Sequence, residues 1–149
     1  LYALAPEAGP LVKEMAAQLR SSGSSPEARA LAALDFVQQD IRYLGIEMGA
    51  GSHRPSDPEE VLRRRFGDCK DKARLLVALL RELGVRAVPA LVNSSVREYL
   101  HQRLPTPYAF DHVVVHVDLD GTQYLVDPTV SHQRGASLAL RHLGSYRTC

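Results

Sequence analysis

The sequence is short of cysteine, of net charge and of long apolar runs, and each shortage removes a class of protein. Two cysteines, Cys69 and Cys149, stand among 149 residues, too few for a disulfide framework. Lys and Arg number 18 and Asp and Glu 17, a formal net charge of +1. There is no basic surplus to neutralise a phosphate backbone, so no nucleic-acid partner is expected, and no acidic excess marks a disordered tail. No apolar run approaches the ~20 residues that cross a bilayer, so no transmembrane segment is expected in this chain. Leu1–Leu11 is interrupted by Pro6, Glu7 and Pro10 where a signal peptide needs an unbroken apolar stretch. The chain opens on Leu1 rather than methionine, which suggests a piece of a longer protein and leaves the compartment open. HExxH and CxxC spacings and EF-hand-like acidic spacings are missing, so neither zinc nor calcium is expected.

What is present is 45% hydrophobic and 23% charged, the composition of one compact domain over residues 1–149 with a single core. Leu11, Met15 and Leu19 recur at helical spacing behind Pro10, predicting a first helix that ends near Arg20. The polar break Ser21–Ser25 follows. Ser25-Pro26-Glu27 reads as an N-cap and first turn, and Leu34, Val37, Ile41 and Leu44 form one apolar stripe of a second helix. Residues Gly45 to Ser56 are rich in glycine and proline and are expected to loop. Asp57-Pro58-Glu59-Glu60 starts a short third helix, with Asp57 capping and Glu60 able to reach back.

Asp68 is the N-cap of a fourth helix, with Asp71 three residues on. Cys69, Ala73, Leu76, Leu80 and Leu83 then share a face until Gly84. Val85 to Val92 is β-branched and apolar, and Pro89 within it argues for an edge strand. Asn93 to Ala109 is a long polar connection. Phe110–Val117 and Thr122–Asp127 flank Asp120-Gly121, a strong hairpin signal. Helices first and strands later predict an α+β fold, helices packed on an antiparallel sheet.

The hairpin has a chemical consequence. A two-residue turn pairs Leu119 with Thr122 and sets Asp127 opposite Val114, so His112, Val114, His116 and Asp127 share a face and Asp127 is diagonal to both histidines. Diagonal neighbours lie about 7–8 Å apart at the backbone, within reach of an imidazole and a carboxylate. His112 and His116 themselves are separated by four strand rises, roughly 13 Å, too far to grip one ion. Cys69, in the first turn of a helix, feels the positive dipole end that favours a thiolate, with Lys70 and Lys72 adding positive charge and Asp68 and Asp71 opposing it. Thiol, imidazole and carboxylate together form the cysteine version of a nucleophile, base and orienter. From the pattern alone, packing roles for Cys69 and for each strand histidine remain open.

Arg65-Phe66-Gly67-Asp68-Cys69-Lys70-Asp71-Lys72-Ala73, then Phe110-Asp111-His112 and Tyr124-Leu125-Val126-Asp127-Pro128-Thr129, resemble the corresponding segments of bacterial transglutaminase-like proteins. The likeness runs from about Ser25 to Thr129, a best-matched core at 25–130. It includes Ile41-Arg42-Tyr43 and the Gly45–Gly51 loop in the form seen in a subgroup found downstream of a β-sandwich domain in larger envelope-associated proteins. It implies a papain-like core with Cys69 as nucleophile, His112 as general base and acid, and Asp127 as orienting carboxylate. It implies no cofactor, a protein or peptide substrate, and weakly a periplasmic or envelope location. His116 has no role in the family pattern and is expected to be structural.

The expected activity is cysteine-dependent acyl transfer on a carboxamide or peptide bond through a thioester, ending in transamidation or hydrolysis. The alternatives are an inactive transglutaminase-fold binding or assembly module of a larger envelope protein, and a cysteine protease of the same layout. The backbone N–H of Cys69 is the expected oxyanion donor, with Tyr43 or its following loop a second thought. Arg63-Arg64-Arg65 is expected to be a solvated helix face, and Cys149 a tail residue without a role.

Overall fold

A computed structural model describes residues 8–45, 54–96, 106 and 109–144; Cys149, most of the 45–56 loop and most of the 93–109 connection lie outside them. The order is α1 (Pro10–Arg20), α2 (Pro26–Asp40), β1 (Arg42–Tyr43), α3 (Pro58–Arg64), β2 (Phe66–Gly67), α4 (Cys69–Glu82), β3 (Arg86–Val92), β4 (His112–Leu119), β5 (Thr122–Val126) and α5 (Leu138–Arg141). Strands β3, β4 and β5 form an antiparallel sheet in that order. It is the expected α+β arrangement, with α4 packed on the sheet and against α1, α2 and α3.

Local chemistry accounts for most of the helix starts. Ser25 accepts from the Ala28 N–H to open α2, Asp57 accepts from Glu59 to open α3, and Asp68 with Asp71 closes a full capping box on α4. α1 has no cap of its own. Glu59 of α3 substitutes, its carboxylate accepting from the N–H groups of Leu11 (3.3 Å) and Val12 (2.9 Å). Glu60, expected to reach back, instead pairs with Arg64 at 3.6 Å.

The core lies between α4 and the sheet. Leu75, Leu76, Leu79 and Leu80 of α4 are fully enclosed and meet Val113, Val115 and Val117 of β4, with Val37 and Ile41 closing the α2 side. A smaller cluster on the sheet's other face holds Ala90, Val92, Val114 and Leu125, with Leu143 packed on it. This alternation is the period-two pattern of the strands made spatial. The β4–β5 register pairs Leu119 with Thr122 and proceeds to Val115 with Val126, as the turn predicts. Asp120 and Gly121 take φ of 51° and 84°, the two left-handed residues of a tight hairpin turn.

Two features depart from the expectation, and a third region adds to it. α2 stops at Asp40, so Ile41 is buried just past its end while Leu44 leaves the stripe and is exposed. Arg42–Tyr43 and Phe66–Gly67 form a small parallel pair, too short to show in any periodicity. The region after Ser131 carries α5 and is tied down: Arg141, buried, pairs with Asp35, and Leu138 N–H donates to Glu27 at 3.0 Å.

Candidate active site

β4 begins at His112 and β5 ends at Val126, just before Asp127, so both side chains sit at the open end of the hairpin, away from its turn. His112 Nε2 and Asp127 Oδ2 are 2.9 Å apart. The other carboxylate oxygen, Oδ1, accepts from the Thr129 N–H (2.8 Å) and hydroxyl (2.7 Å), a side-chain turn closed two residues on. Gln38 of α2 donates from Nε2 to the Asp127 carbonyl at 2.8 Å. Both carboxylate oxygens and the backbone of Asp127 are therefore held.

Cys69 is the first residue of α4 and is nearly enclosed. Its sulfur lies near enough to the His112 ring to favour the ring's charged form. With Nε2 committed to Asp127, Nδ1 is the ring nitrogen left for the sulfur. Burial works against a charge on His112, but the hydrogen bond to Asp127, the nearby Cys69 sulfur and the negative charge each can carry outweigh it and push the pKa up to about 10. Burial likewise opposes the Asp127 charge, and the His112 and Thr129 bonds overcome it, holding the carboxyl below its ordinary range. All three residues singled out in the sequence thus meet in space. His116 does not join them: its Nε2 lies 3.3 Å from Gln123 Oε1.

The charges flanking Cys69 are paired off in a way the sequence left unsettled. Asp68 binds Lys70 at 2.6 Å, both buried, and Asp71 binds Arg64 at 2.5 Å. Arg64 also donates to the Phe66 carbonyl (2.8 Å) and lies over the Phe66 ring, 4.8 Å from its centroid. The expected solvated face at Arg63-Arg64-Arg65 therefore needs correcting at Arg64, which clamps the segment leading into α4. Gly67 fits because a Cβ there would stand 2.6 Å from the Asp71 Cβ. Lys72 is turned wholly inward, its Nζ donating to the Ile41 carbonyl at 2.6 Å. Gln38 has no role in the sequence pattern and Lys72 only that of a positive charge beside the thiol; the Asp-Pro-Thr turn around Thr129 carries a local signal.

The profile of the transglutaminase-like superfamily matches residues 13–128. The chain belongs to the transglutaminase-like superfamily. The match begins inside α1, earlier than the Ser25 boundary expected from the motifs. No curated protein is significantly similar in sequence. Among solved structures, a candidate protease from Parabacteroides distasonis superposes with a TM-score of 0.68 at 18% identity, covering 91% of this chain and 27% of that one. A candidate cysteine protease from Cytophaga hutchinsonii gives 0.59 at 18% identity, covering 80% and 37%. The periplasmic domain of TgpA from Pseudomonas aeruginosa gives 0.59 at 19% identity, covering 85% and 44%. The chain thus spans less than half the length of each of these, and at such identities the likeness is one of fold. Among the described residues no helix is long and apolar enough to cross a membrane, and no group of three His, Cys, Asp or Glu side chains is placed to hold a metal.

Proposed function

We propose that this domain is a cysteine-dependent acyl-transfer enzyme with Cys69 as nucleophile, His112 as proton carrier and Asp127 as the group that orients the ring. The observation that carries this reading is one imidazole held at 2.9 Å by a fixed carboxylate, with the thiol that opens α4 close enough to act on the ring. The sulfur attacks the carbonyl carbon of a carboxamide or peptide bond, its proton passing to His112. A C–S bond forms, the C–N bond breaks, and His112 returns the proton to the departing ammonia or amine. Water or a second amine then attacks the thioester, yields its proton through His112 and releases the thiol, giving hydrolysis or transamidation. The Asp68 cap engages the N–H groups of Lys70 and Asp71 and not that of Cys69, which supports the Cys69 N–H as an oxyanion donor. The donor set calls for no cofactor. The proposed substrate is a protein or peptide, and a cell-envelope setting, downstream of a further domain, is the context we propose for it.

The test is mass spectrometry of the intact chain with glutamine-containing and plain peptides, with and without a primary amine. The expected result is a mass adduct on Cys69 that is absent in Cys69→Ala and that resolves to amide or acid. Undiminished turnover by a well-folded Cys69→Ala variant would falsify the assignment.

A further inference from the structure

We propose that Gln38 is a positioning residue of this site: its buried amide, turned the right way by Arg141, holds the Asp127 main chain where the carboxylate meets the His112 ring. The proposal rests on the acyl-transfer reading above.

Gln38 is the polar member of the buried side of α2, which otherwise holds Ala30, Ala33, Leu34 and Val37. A side-chain amide at 3% exposure is costly unless its groups are bonded, and here each is used. Nε2 donates to the Asp127 carbonyl and to Gln133 Oε1, both at 2.8 Å, and Oε1 accepts from Arg141 Nη1 at 3.4 Å. A turned-over amide would set its oxygen against the Asp127 carbonyl and its NH2 against a guanidinium. Arg141 is itself fixed, paired with Asp35 and donating from Nε to the Gly135 carbonyl at 3.0 Å. The segment after β5 thereby selects the orientation of the amide.

The grip falls where the sheet no longer supplies one. The β4–β5 ladder ends at Val115 and Val126, one residue short of Asp127. The Thr129 bonds to Oδ1 come from two residues on and travel with the same stretch of chain, so they set the carboxylate relative to its own backbone. Gln38 sets that backbone relative to α2, 89 positions away. Without it Asp127 can drift, Oδ2 with it, and the 2.9 Å contact to His112 Nε2 loosens. A small misplacement of that kind slows proton transfer while leaving substrate binding alone.

The test uses Gln38→Met and Arg141→Met in the full chain. Its two readouts are peptide acylation of Cys69 and, in a Cys69→Ala background, the NMR signal of the His112 Nε2 proton. The expected result for Gln38→Met is a kcat lower by about ten- to a hundredfold at an unchanged KM, with the Nε2 proton shifted upfield as its bond to Asp127 weakens. Arg141→Met is expected to move both in the same direction by less, and the double variant to be no slower than Gln38→Met alone, because Arg141 acts through the amide. Variants that lose stability but keep the wild-type kcat and an unmoved Nε2 proton overturn the proposal and leave Gln38 as a filler of the core. Should Gln38→Met fail to fold, Arg141→Met decides on the same readouts. Absence of a scalar coupling across the hydrogen bond from Gln38 to the Asp127 carbonyl in the unsubstituted chain overturns the proposal outright. An unreactive Cys69 in the unsubstituted chain would defeat the acyl-transfer reading while leaving the Nε2 proton readout of Gln38 intact.

Discussion

His112 and Asp127 are 15 residues apart in sequence and 2.9 Å apart in space, joined across the open end of a hairpin whose turn is Asp120-Gly121. The separation is a product of register: with Leu119 opposite Thr122, counting outward brings the start of β4 level with the end of β5. One residue of slip would send the carboxylate to the other face of the sheet, and the pair would be lost.

Replacing Asp127 with Ala removes both the anion and the hydrogen bond that sustain the His112 imidazolium. The His112 midpoint is expected to drop from about 10 toward the ordinary histidine range, as read by ring-carbon NMR. Turnover should fall about 10²- to 10⁴-fold without vanishing, because the ring still samples useful orientations. A wild-type rate would remove Asp127 from the site.

Stability should respond to pH in two opposed ways. The raised pKa of His112 contributes stability that is complete below about 6.5 and is lost as pH climbs through about 10. Lys72 has the opposite sign: its pKa is lowered to about 8 from 10.5, so the unfolded chain binds the extra proton and stability rises with pH across that window. Denaturant titrations of Lys72→Met are therefore expected to show stability falling steadily from pH 7 to 10, and those of His112→Ala to show it rising between 8 and 10.5. The same slope in both variants would contradict these assignments.

Asp68→Ala deletes an N-cap shared by two backbone N–H groups and removes the carboxylate bound to the buried Lys70 ammonium. The loss is expected at about 2–4 kcal/mol. Because Cys69 is the next residue, its alkylation rate should change as well. Loss of stability with an unaltered rate would show that the cap holds the helix without placing the sulfur.

Leu76→Ala opens a cavity in the middle of α4, where the side chain is fully enclosed. Urea denaturation should report a cost of about 2–5 kcal/mol, with the pH dependence of His112 unchanged. A cost below 1 kcal/mol would mean that the core between α4 and the sheet is looser than its packing indicates.

Arg141→Ala tests the segment after β5. It leaves Asp35 without its partner and removes a contact to Gln38, which in turn holds the Asp127 carbonyl. Destabilisation of about 2 kcal/mol is expected, with a smaller loss of rate transmitted through Gln38. Full activity at undiminished stability would mean the segment is only loosely attached.

What the sequence by itself determined was everything governed within a turn or a hairpin. The caps at Ser25, Asp57 and Asp68, the stop at Gly84, the β4–β5 register and hence the meeting of His112 with Asp127 all depend on neighbours a few residues away or on simple counting from a turn. The tertiary structure decided the rest. Arg64 reads locally as one of three surface arginines and becomes the clamp on Asp71 and Phe66; Lys72 reads as a positive charge near the thiol and turns inward to the Ile41 carbonyl, 31 positions back. Gln38 reaches Asp127 across 89 residues, and Glu27 caps α5 across 111. Hydrophobic periodicity tells which side of an element is covered. It does not say which polar groups at the margin of that side find partners, because those partners come from elements whose approach is settled only when the whole core packs.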